Sequence, residues 1–271
     1  MHKKENTLFN IVVHENWLYD AVPVLSVCMP IRKMHHTYHI ALKALCNQDS
    51  DVPWELLIFA DHDSITEIAL LQYFKFLREA GCCRLVIVKD KRLDYSCHLS
   101  YKWTFLFHIA SPTSLVFVLQ AADCYSDADR LSKHFRYRLA LWQHYSSGHF
   151  YDLGTKQLSQ FRLPYKAKTG LDMAIRAREA RKISLVDETN NVSKSVDGWL
   201  FNQVKANFMQ TKDLGPKQQG FDLHGTNLIS KERGAMINSF SPPFFPPLDD
   251  FALPEDCMDL LAQAEKDSKT A

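Results

Sequence analysis

The sequence predicts an α/β protein built on a mostly parallel sheet with helices on both faces. Four apolar runs occur in the first 150 residues, and none shows the polar alternation of a half-exposed strand. The segments between these runs carry apolar residues at helical spacing. The chain has 271 residues, 46% of them hydrophobic and 23% charged, which suffices for one large domain or two small ones. Strands that alternate with helices are typical of a parallel sheet covered on both sides.

The predicted elements follow one another through the first half of the chain. The four strands are predicted at 22–29, 55–60, 84–88 and 115–119, and the helices at 35–46, 64–81, 96–110 and 127–145. Ser64 begins a capping box at the start of the second helix, and Gly81 closes it. The last of these helices would bury Leu131, Phe135, Leu139 and Trp142.

The pattern changes after residue 150. Residues 156–182 hold eight lysines and arginines against two acidic residues, and 194–210 again has a helical pattern. Residues 240–247, FSPPFFPP, contain too much proline for a helix or a central strand, so we expect an ordered arm or linker there. A short helix could follow at 254–266. The chain therefore divides into regions 1–150, 151–246 and 247–271.

Composition narrows the classes of function. The formal net charge of +1 requires neither a nucleic acid nor a membrane as partner. Seven cysteines without regular spacing, and no signal peptide before them, predict a reduced, cytoplasmic setting. No apolar run approaches the roughly 20 residues that span a bilayer, so a soluble protein is expected. A Gly-x-Gly-x-x-Gly loop, a Walker loop and a Cys-x-x-Cys pair are all missing from the sequence, which argues against a glycine-loop nucleotide binder.

Polar residues follow two of the predicted strands where each strand ends. Asp61, His62 and Asp63 come directly after the second strand, and Asp123 comes shortly after the fourth. Because ligands of such sheets bind beyond the carboxyl ends of the strands, we expect these residues to share one rim. Simpler interpretations are a polar turn capped by Ser64 for the first group and a loop acid for Asp123.

The order of three motifs is more informative than any one of them. The first strand ends in Met-Pro-Ile-Arg (29–32), the second runs from Trp54-Glu55 to Asp61-x-x-Ser64, and the fourth is followed by Leu-Gln-Ala-Ala-Asp-Cys-Tyr (119–125). This order resembles the family 2 glycosyltransferases of the GT-A fold. Their nucleotide-binding half reads strand-Pro-Thr-Tyr-Asn, then Trp-Glu-apolar-Asp-Asp-Gly-Ser, then Leu-Asp-x-Asp-Asp before a helix. The resemblance covers roughly residues 22–145.

The resemblance implies a role for each matching position. Asp61 would contact the base of a nucleotide-sugar donor, with Pro30 and Asp63 in the same donor pocket, and Asp123 would lie near the diphosphate and any bound cation. Asp197, in the stretch Ser-Val-Asp-Gly-Trp-Leu (195–200), matches the acidic residue that serves inverting members as general base. His224 is a candidate ligand of a metal or of the diphosphate. The simpler interpretations are a helix N-cap for Asp197 and a turn histidine for His224.

The sequence departs from the family at its acidic cluster. The Asp-x-Asp motif is degenerate: residues 120–122 are Gln-Ala-Ala, so that only Asp123 remains. Because Mg²⁺ and Mn²⁺ need several oxygen ligands, a divalent cation is either bound weakly, with help from His224 and the donor phosphates, or absent. Lysines and arginines of 156–182 could neutralise the leaving diphosphate instead. His62 stands where the family has its second aspartate.

The expected function is therefore glycosyl transfer from a nucleotide sugar to an acceptor hydroxyl. Region 1–150 would bind the donor and region 151–246 would face the acceptor, which could be a saccharide or an anionic molecule such as modified DNA, as in phage DNA-modifying glycosyltransferases. The basic residues of 156–182 could equally form a solvated helix face. The rival hypothesis is a non-catalytic protein that kept the fold and binds a partner through the proline-rich arm at 240–247 and the terminal helix at 254–266.

Overall fold

The computed structural model describes residues 8–14, 21–31, 38–61, 70, 72–92, 96–152, 157–162, 172–188, 196–205, 210–224, 259 and 262, with the backbone alone at 150, 152, 157–162 and 216–224. The strands in this part of the chain are β1 (Phe9–His14), β2 (Leu25–Ile31), β3 (Trp54–Ala60), β4 (Cys82–Asp90), β5 (Val116–Leu119), β6 (Cys124–Tyr125), β7 (Trp142–His144), β8 (Ser147–Asp152), β9 (Gln157–Arg162), β10 (Ala174–Arg176), β11 (Thr211–Asp213) and β12 (Pro216–His224). The helices are α1 (Tyr38–Cys46), α2 (Phe74–Glu79), α3 (Leu99–Ile109), α4 (Arg130–Arg136), α5 (Ala177–Ala180) and α6 (Val196–Val204).

The larger sheet has eight strands in the order β1-β4-β3-β2-β5-β10-β7-β11. Its centre, from β4 to β5, is parallel, and all four predicted strands are found there. Towards the margins the sheet becomes mixed, because β1 pairs antiparallel with β4 and β10 pairs antiparallel with both β5 and β7. The carboxyl ends of the parallel strands β2, β3 and β5 lie at the same end of the sheet, which we call the rim.

Helices cover both faces of this sheet, as predicted. Along β3, Leu56 and Ile58 face a core that includes residues of α1, α2 and α4, whereas Leu57 and Phe59 face a second core with residues of α3, α5 and α6. Every residue of β3 is buried. Burial on both faces explains why the strand sequences show no polar alternation.

A second, four-stranded sheet begins at the rim. Its order is β6-β12-β8-β9, with β12 antiparallel to β6 and parallel to β8. The strand β6 starts at Cys124, immediately after Asp123. The sequence patterns did not predict this sheet, and its residues join the rim to the chain beyond 215.

The predicted helix at 127–145 is wrong in its second half. The helix α4 ends at Arg136, and the chain continues into β7 at Trp142–His144. Leu131 and Trp142 are buried as predicted, but Leu139 is 76% exposed. Local periodicity failed here because β7 is held by β10 and β11, strands that lie far along the sequence.

Several predictions fall on parts of the chain that remain undescribed. Asp63, the start of the predicted helix at 64–81, the arm at 240–247 and most of the helix at 254–266 lie outside the described residues. The division into regions 1–150, 151–246 and 247–271 stays a prediction. Within the described part of the chain, no helix combines the length and the apolar character needed to cross a membrane.

Candidate functional site

Asp61 follows β3 at the rim, where it forms a buried ion pair. Its Oδ1 accepts a hydrogen bond from Lys102 Nζ at 2.5 Å, and its Oδ2 accepts one from Ser96 Oγ at 2.8 Å. Lys102, on α3, also donates to the carbonyl oxygen of Ile31 at 3.0 Å. Asp61 is 1% exposed and Lys102 is 2% exposed. The ammonium group therefore ties the ends of β2 and β3 together and fixes the carboxylate between them.

Pro30 lies beside this pair, in the buried end of β2. It pairs in register with Phe59 of β3, and the next residue, Ile31, accepts a hydrogen bond from the Asp61 amide at 3.3 Å. The structure thus brings Pro30 and Asp61 to the same place on the rim. That they contact a nucleotide stays a prediction.

Gln120 takes the first position of the degenerate acidic motif, and its side chain is fully used within the protein. Its Nε2 donates to the carbonyl oxygens of Ala121 at 2.8 Å and Cys124 at 3.0 Å. Its Oε1 accepts from Ser126 Oγ at 3.0 Å and from the Nη1 of Arg130. These four bonds close the turn between β5 and β6.

Arg130, the first residue of α4, is a buried cation beneath this turn. Its Nη1 also donates to Ser126 Oγ at 2.7 Å, and its Nη2 donates to the carbonyl oxygen of Leu119 at 2.7 Å. The Oδ1 of Asp172 lies 3.5 Å from Nη2, and Arg130 is 1% exposed. Sequence reasoning missed Arg130, because its partners come from three separate segments and no local pattern marks it.

Asp123 is half-buried in the same turn and is the only acidic residue of 120–124. Its Oδ1 accepts a weak hydrogen bond from Cys124 Sγ at 3.6 Å. Asp222 pairs antiparallel with Cys124, so that the residues after Asp222 run alongside those before Cys124. The strand β12 ends two residues further on, at His224, of which the structure describes the backbone alone.

Asp197 lies in the first turn of α6 and is half-buried. The helix packs through Leu200 and Val204 on the same core as α3. An acidic residue in the first turn is favoured by the helix dipole, which suits a structural role. Partial burial equally suits a general base. Both interpretations of Asp197 stay open.

The described basic residues of 176–182 lie at the end of the sheet opposite the rim, near the amino end of β5. Arg181 donates to the carbonyl oxygens of Ser111 at 2.5 Å and Ser114 at 3.3 Å, just before β5 begins. Arg176 pairs with Val116, the first residue of β5. These arginines are therefore remote from Asp123. Of the basic segment, the residues of 156–168 stay candidates for neutralising a diphosphate, and their side chains are not among the described atoms.

A cluster of buried polar groups lies near Arg130. The Nδ1 of His134 donates to Gln143 Oε1 at 3.0 Å, and burial, reinforced by the charge of Arg130, lowers the pKa of His134 to about 3. The ring of Tyr145 lies 6.0 Å from that of His134, and burial raises the pKa of Tyr145. Among the described residues, His134 Nε2, Tyr145 Oη and Arg130 Nε have no hydrogen-bond partner.

The residues at the rim can be tested against a divalent cation. Where side chains are described, no three His, Cys, Asp or Glu residues converge on a common point. Gln120 has no lone pair left for a cation, so it does not fit as a ligand. That Asp123 and His224 together hold a cation stays a prediction.

Comparison with known proteins establishes the fold. No family model matches the chain, and no curated protein matches it. The crystal structure of residues 1–349 of S. aureus TarS in complex with UDP-GlcNAc superposes with a TM-score of 0.55 at 12% identity, over 88% of this chain and 65% of that one. A second structure of TarS 1–349 gives 0.54 at 9% identity, over 73% and 60%. This chain therefore has the α/β fold of the GT-A glycosyltransferases, as predicted, and spans less than two thirds of that TarS fragment.

Proposed function

We propose that this protein is a glycosyltransferase that moves a sugar from a nucleotide-sugar donor to an acceptor hydroxyl. The observation that carries the proposal is the rim of a GT-A fold at which Asp61 and Asp123 follow β3 and β5, in the order of the family's motifs. TarS 1–349, which shares the fold, has been crystallised with UDP-GlcNAc.

The donor would lie along the rim. Asp61, when ionised, can only accept hydrogen bonds, and so it suits an N–H group of a nucleobase. Lys102 and Ser96 hold its carboxylate in place, so that little side-chain freedom is lost when a base binds. Pro30 would border the base, and Asp123 would lie beside the diphosphate.

Asp197 is the proposed general base. Its carboxylate would take the proton of the acceptor hydroxyl while the oxygen forms a bond to the anomeric carbon. The bond from that carbon to the diphosphate breaks, and the nucleoside diphosphate leaves with the electron pair. An inverted anomeric centre follows from the family analogy alone.

The acceptor is proposed to be a saccharide or a nucleic acid. A DNA acceptor requires contacts with phosphates, which basic residues of 156–168 would supply, and its binding would weaken steeply with added salt. Binding of a neutral saccharide would change little with added salt. Titration of each acceptor class at low and high salt therefore separates the two.

The proposed function is tested by donor binding and sugar transfer on one preparation. Thermal stabilisation by a panel of nucleotide sugars identifies the donor, and release of the nucleoside diphosphate in the presence of acceptors measures transfer. Asp197→Asn should keep the stabilisation and lower transfer about 10²- to 10⁴-fold, the usual contribution of a general base. Asp51→Asn, at an exposed position before β3, is the matched control and should behave as the parent.

Two results would contradict the proposal. If no nucleotide sugar stabilises the protein, the rim is not a donor site. If a donor binds but is neither transferred nor hydrolysed with any acceptor, the rival hypothesis of a non-catalytic binding protein is supported.

A further inference from the structure

We propose that this protein binds its nucleotide-sugar donor without a divalent cation, because a closed hydrogen-bond cluster of Gln120 and Arg130 has replaced the acidic cation site of the family. The inference rests on the proposed function and concerns the same rim.

The first argument is the hydrogen-bonding capacity of Gln120. A primary amide has two N–H donors and an oxygen with two lone pairs. Both donors are used, on Ala121 and Cys124, and both lone pairs are used, by Ser126 and Arg130. A cation could bind to Oε1 only by displacing one of these buried partners, and a displaced partner would lose its hydrogen bond in a place that water does not reach.

The second argument is the charge of Arg130. Its guanidinium remains protonated in proteins and here touches the same Oε1 that a cation would need. Two positive groups on one oxygen repel each other, and burial leaves little solvent to screen them. The Oδ1 of Asp172 lies 3.5 Å from Nη2, the nitrogen that bonds the carbonyl oxygen of Leu119, whereas Nη1 bonds Gln120.

The third argument is the charge of the turn as a whole. The Asp-x-Asp-Asp pattern places three carboxylates beside a diphosphate, and a cation is needed to offset them. In this chain the corresponding residues are Gln120, Ala122 and Asp123, so that a single carboxylate remains. The turn therefore has less negative charge for a cation to offset, and it also has fewer carboxylates with which to bind one.

The arrangement that competes with this inference is a site around Asp123. The strand β12 ends at His224, two residues beyond its pairing with Cys124, and His224 pairs with Asp152 of β8. If the side chains of Asp123, Asp152 and His224 converge on a cation, donor binding will depend on it. The test below separates the two arrangements.

The test is isothermal titration of the full chain with the donor that gives the largest thermal stabilisation, first in excess EDTA and then in saturating Mn²⁺. Binding heat does not depend on turnover. We expect the dissociation constants in EDTA and in Mn²⁺ to agree within about threefold, because the same groups bind the donor in both buffers. Binding that is more than about tenfold tighter in Mn²⁺, or that occurs only with Mn²⁺, would overturn the inference and leave the proposed function standing.

Asp123→Asn is titrated in the same two buffers. The quantity compared is the ratio of the dissociation constants of the variant and the parent, which does not depend on the absolute affinity. Without a cation, the substitution should change the dissociation constant by the same factor in EDTA and in Mn²⁺. If a cation is held by Asp123, the substitution should remove only the advantage seen in Mn²⁺, and the inference fails. If no nucleotide sugar binds the parent in either buffer, the proposed function fails and the inference fails with it.

Discussion

The pair formed by Asp61 and Lys102 shows how a single rim residue is built into the fold. Taking two charges out of water is costly, and the cost is offset only when every polar atom is well paired. Here both carboxylate oxygens have donors, and the ammonium has two acceptors, in Asp61 and the carbonyl oxygen of Ile31. The position of Asp61 is therefore set before any ligand binds.

Removal of either partner alone should be strongly destabilising, and removal of both should cost less than the sum of the two single removals. We expect Lys102→Met to lower the free energy of unfolding by about 3–5 kcal/mol, because Asp61 is left buried without its cation. The double variant Lys102→Met, Asp61→Asn should lose less than the sum of the two single variants. Urea denaturation of the four proteins measures this coupling.

The exposed pair of Lys75 and Glu79 provides the control for Lys102. These side chains are 79% and 59% exposed and lie 3.9 Å apart. Lys75→Met should change the free energy of unfolding by less than about 0.5 kcal/mol. A Lys102→Met variant that is as stable as Lys75→Met would contradict the description of the buried pair.

A second residue-scale prediction concerns the hydroxyl of Tyr145, which is buried and has no partner among the described residues. Tyr145→Phe removes an unsatisfied polar group, so its free energy of unfolding should stay the same or rise by up to about 1 kcal/mol. Tyr125 is the matched control, because its hydroxyl accepts from Asn47 Nδ2 at 3.1 Å. Tyr125→Phe should cost about 0.5–1.5 kcal/mol.

The same denaturation experiment can contradict this expectation. A loss in Tyr145→Phe equal to that in Tyr125→Phe would mean that the Tyr145 hydroxyl does contribute a hydrogen bond to the folded protein.

Two residues of the candidate site, Asp61 and Asp123, were predicted from the strands that precede them. Asp61 and Asp123 were identified because apolar runs end next to them, and the structure places both at the rim. Lys102 and Arg130 were missed, since Lys102 meets Asp61 across 41 residues of sequence and Arg130 meets Gln120 within a cluster that only folding assembles. A buried cation leaves no periodic signal in the chain.

At the scale of elements, local signals succeeded where local interactions decide the conformation. Gly81 was predicted to end a helix, and it follows α2 with a φ of +89°. The strand β7 was predicted as helix, because its hydrogen bonds come from β10 and β11, which local spacing does not reveal. The second sheet was missed for the same reason, since β12 lies more than 90 residues beyond β6.

The backbone of Gly81 leads to an element-scale prediction. A β-carbon on Gly81 would meet Trp54 Nε1 at 3.5 Å, which is an ordinary contact, so the cost of Gly81→Ala should come from its φ alone, about 1–2 kcal/mol. Gly215 has a φ of +85°, and no atom of the described residues lies within 4 Å of such a carbon. Gly215→Ala should therefore cost the same, as measured by thermal unfolding. A clearly larger loss at Gly81 would show that Trp54 cannot adjust.

The stability of the whole molecule should depend on pH through His134. Its pKa of about 3 in the folded state lies below the value of about 6.5 expected when the chain is unfolded. Between these values the unfolded chain binds more protons, so the contribution of His134 is complete above about pH 6.5 and is lost as the pH falls towards 3. The slope from this residue approaches about 1.4 kcal/mol per pH unit.

Urea denaturation between pH 4 and 7 measures this slope in the parent and in His134→Gln, which should be flatter. Ser132→Ala lies on the same helix and removes no titratable group, although it loses two hydrogen bonds, one donated to the carbonyl oxygen of Asp49 and one accepted from the Asp51 amide. This control should shift the free energy of unfolding by a constant amount at every pH. A parent slope that His134→Gln leaves unchanged would contradict the assignment.

The position of β10 has a consequence for the nascent chain. The strands β1 to β5 leave the ribosome early, yet β10, which pairs with β5, is made more than 50 residues after β5. During the seconds of synthesis that separate them, Val116–Leu119 presents an apolar edge with unpaired backbone groups, the kind of edge that recruits other chains. The edge of β5 therefore stays uncovered until Ala174–Arg176 is made, and a chain truncated before these residues should be prone to aggregation.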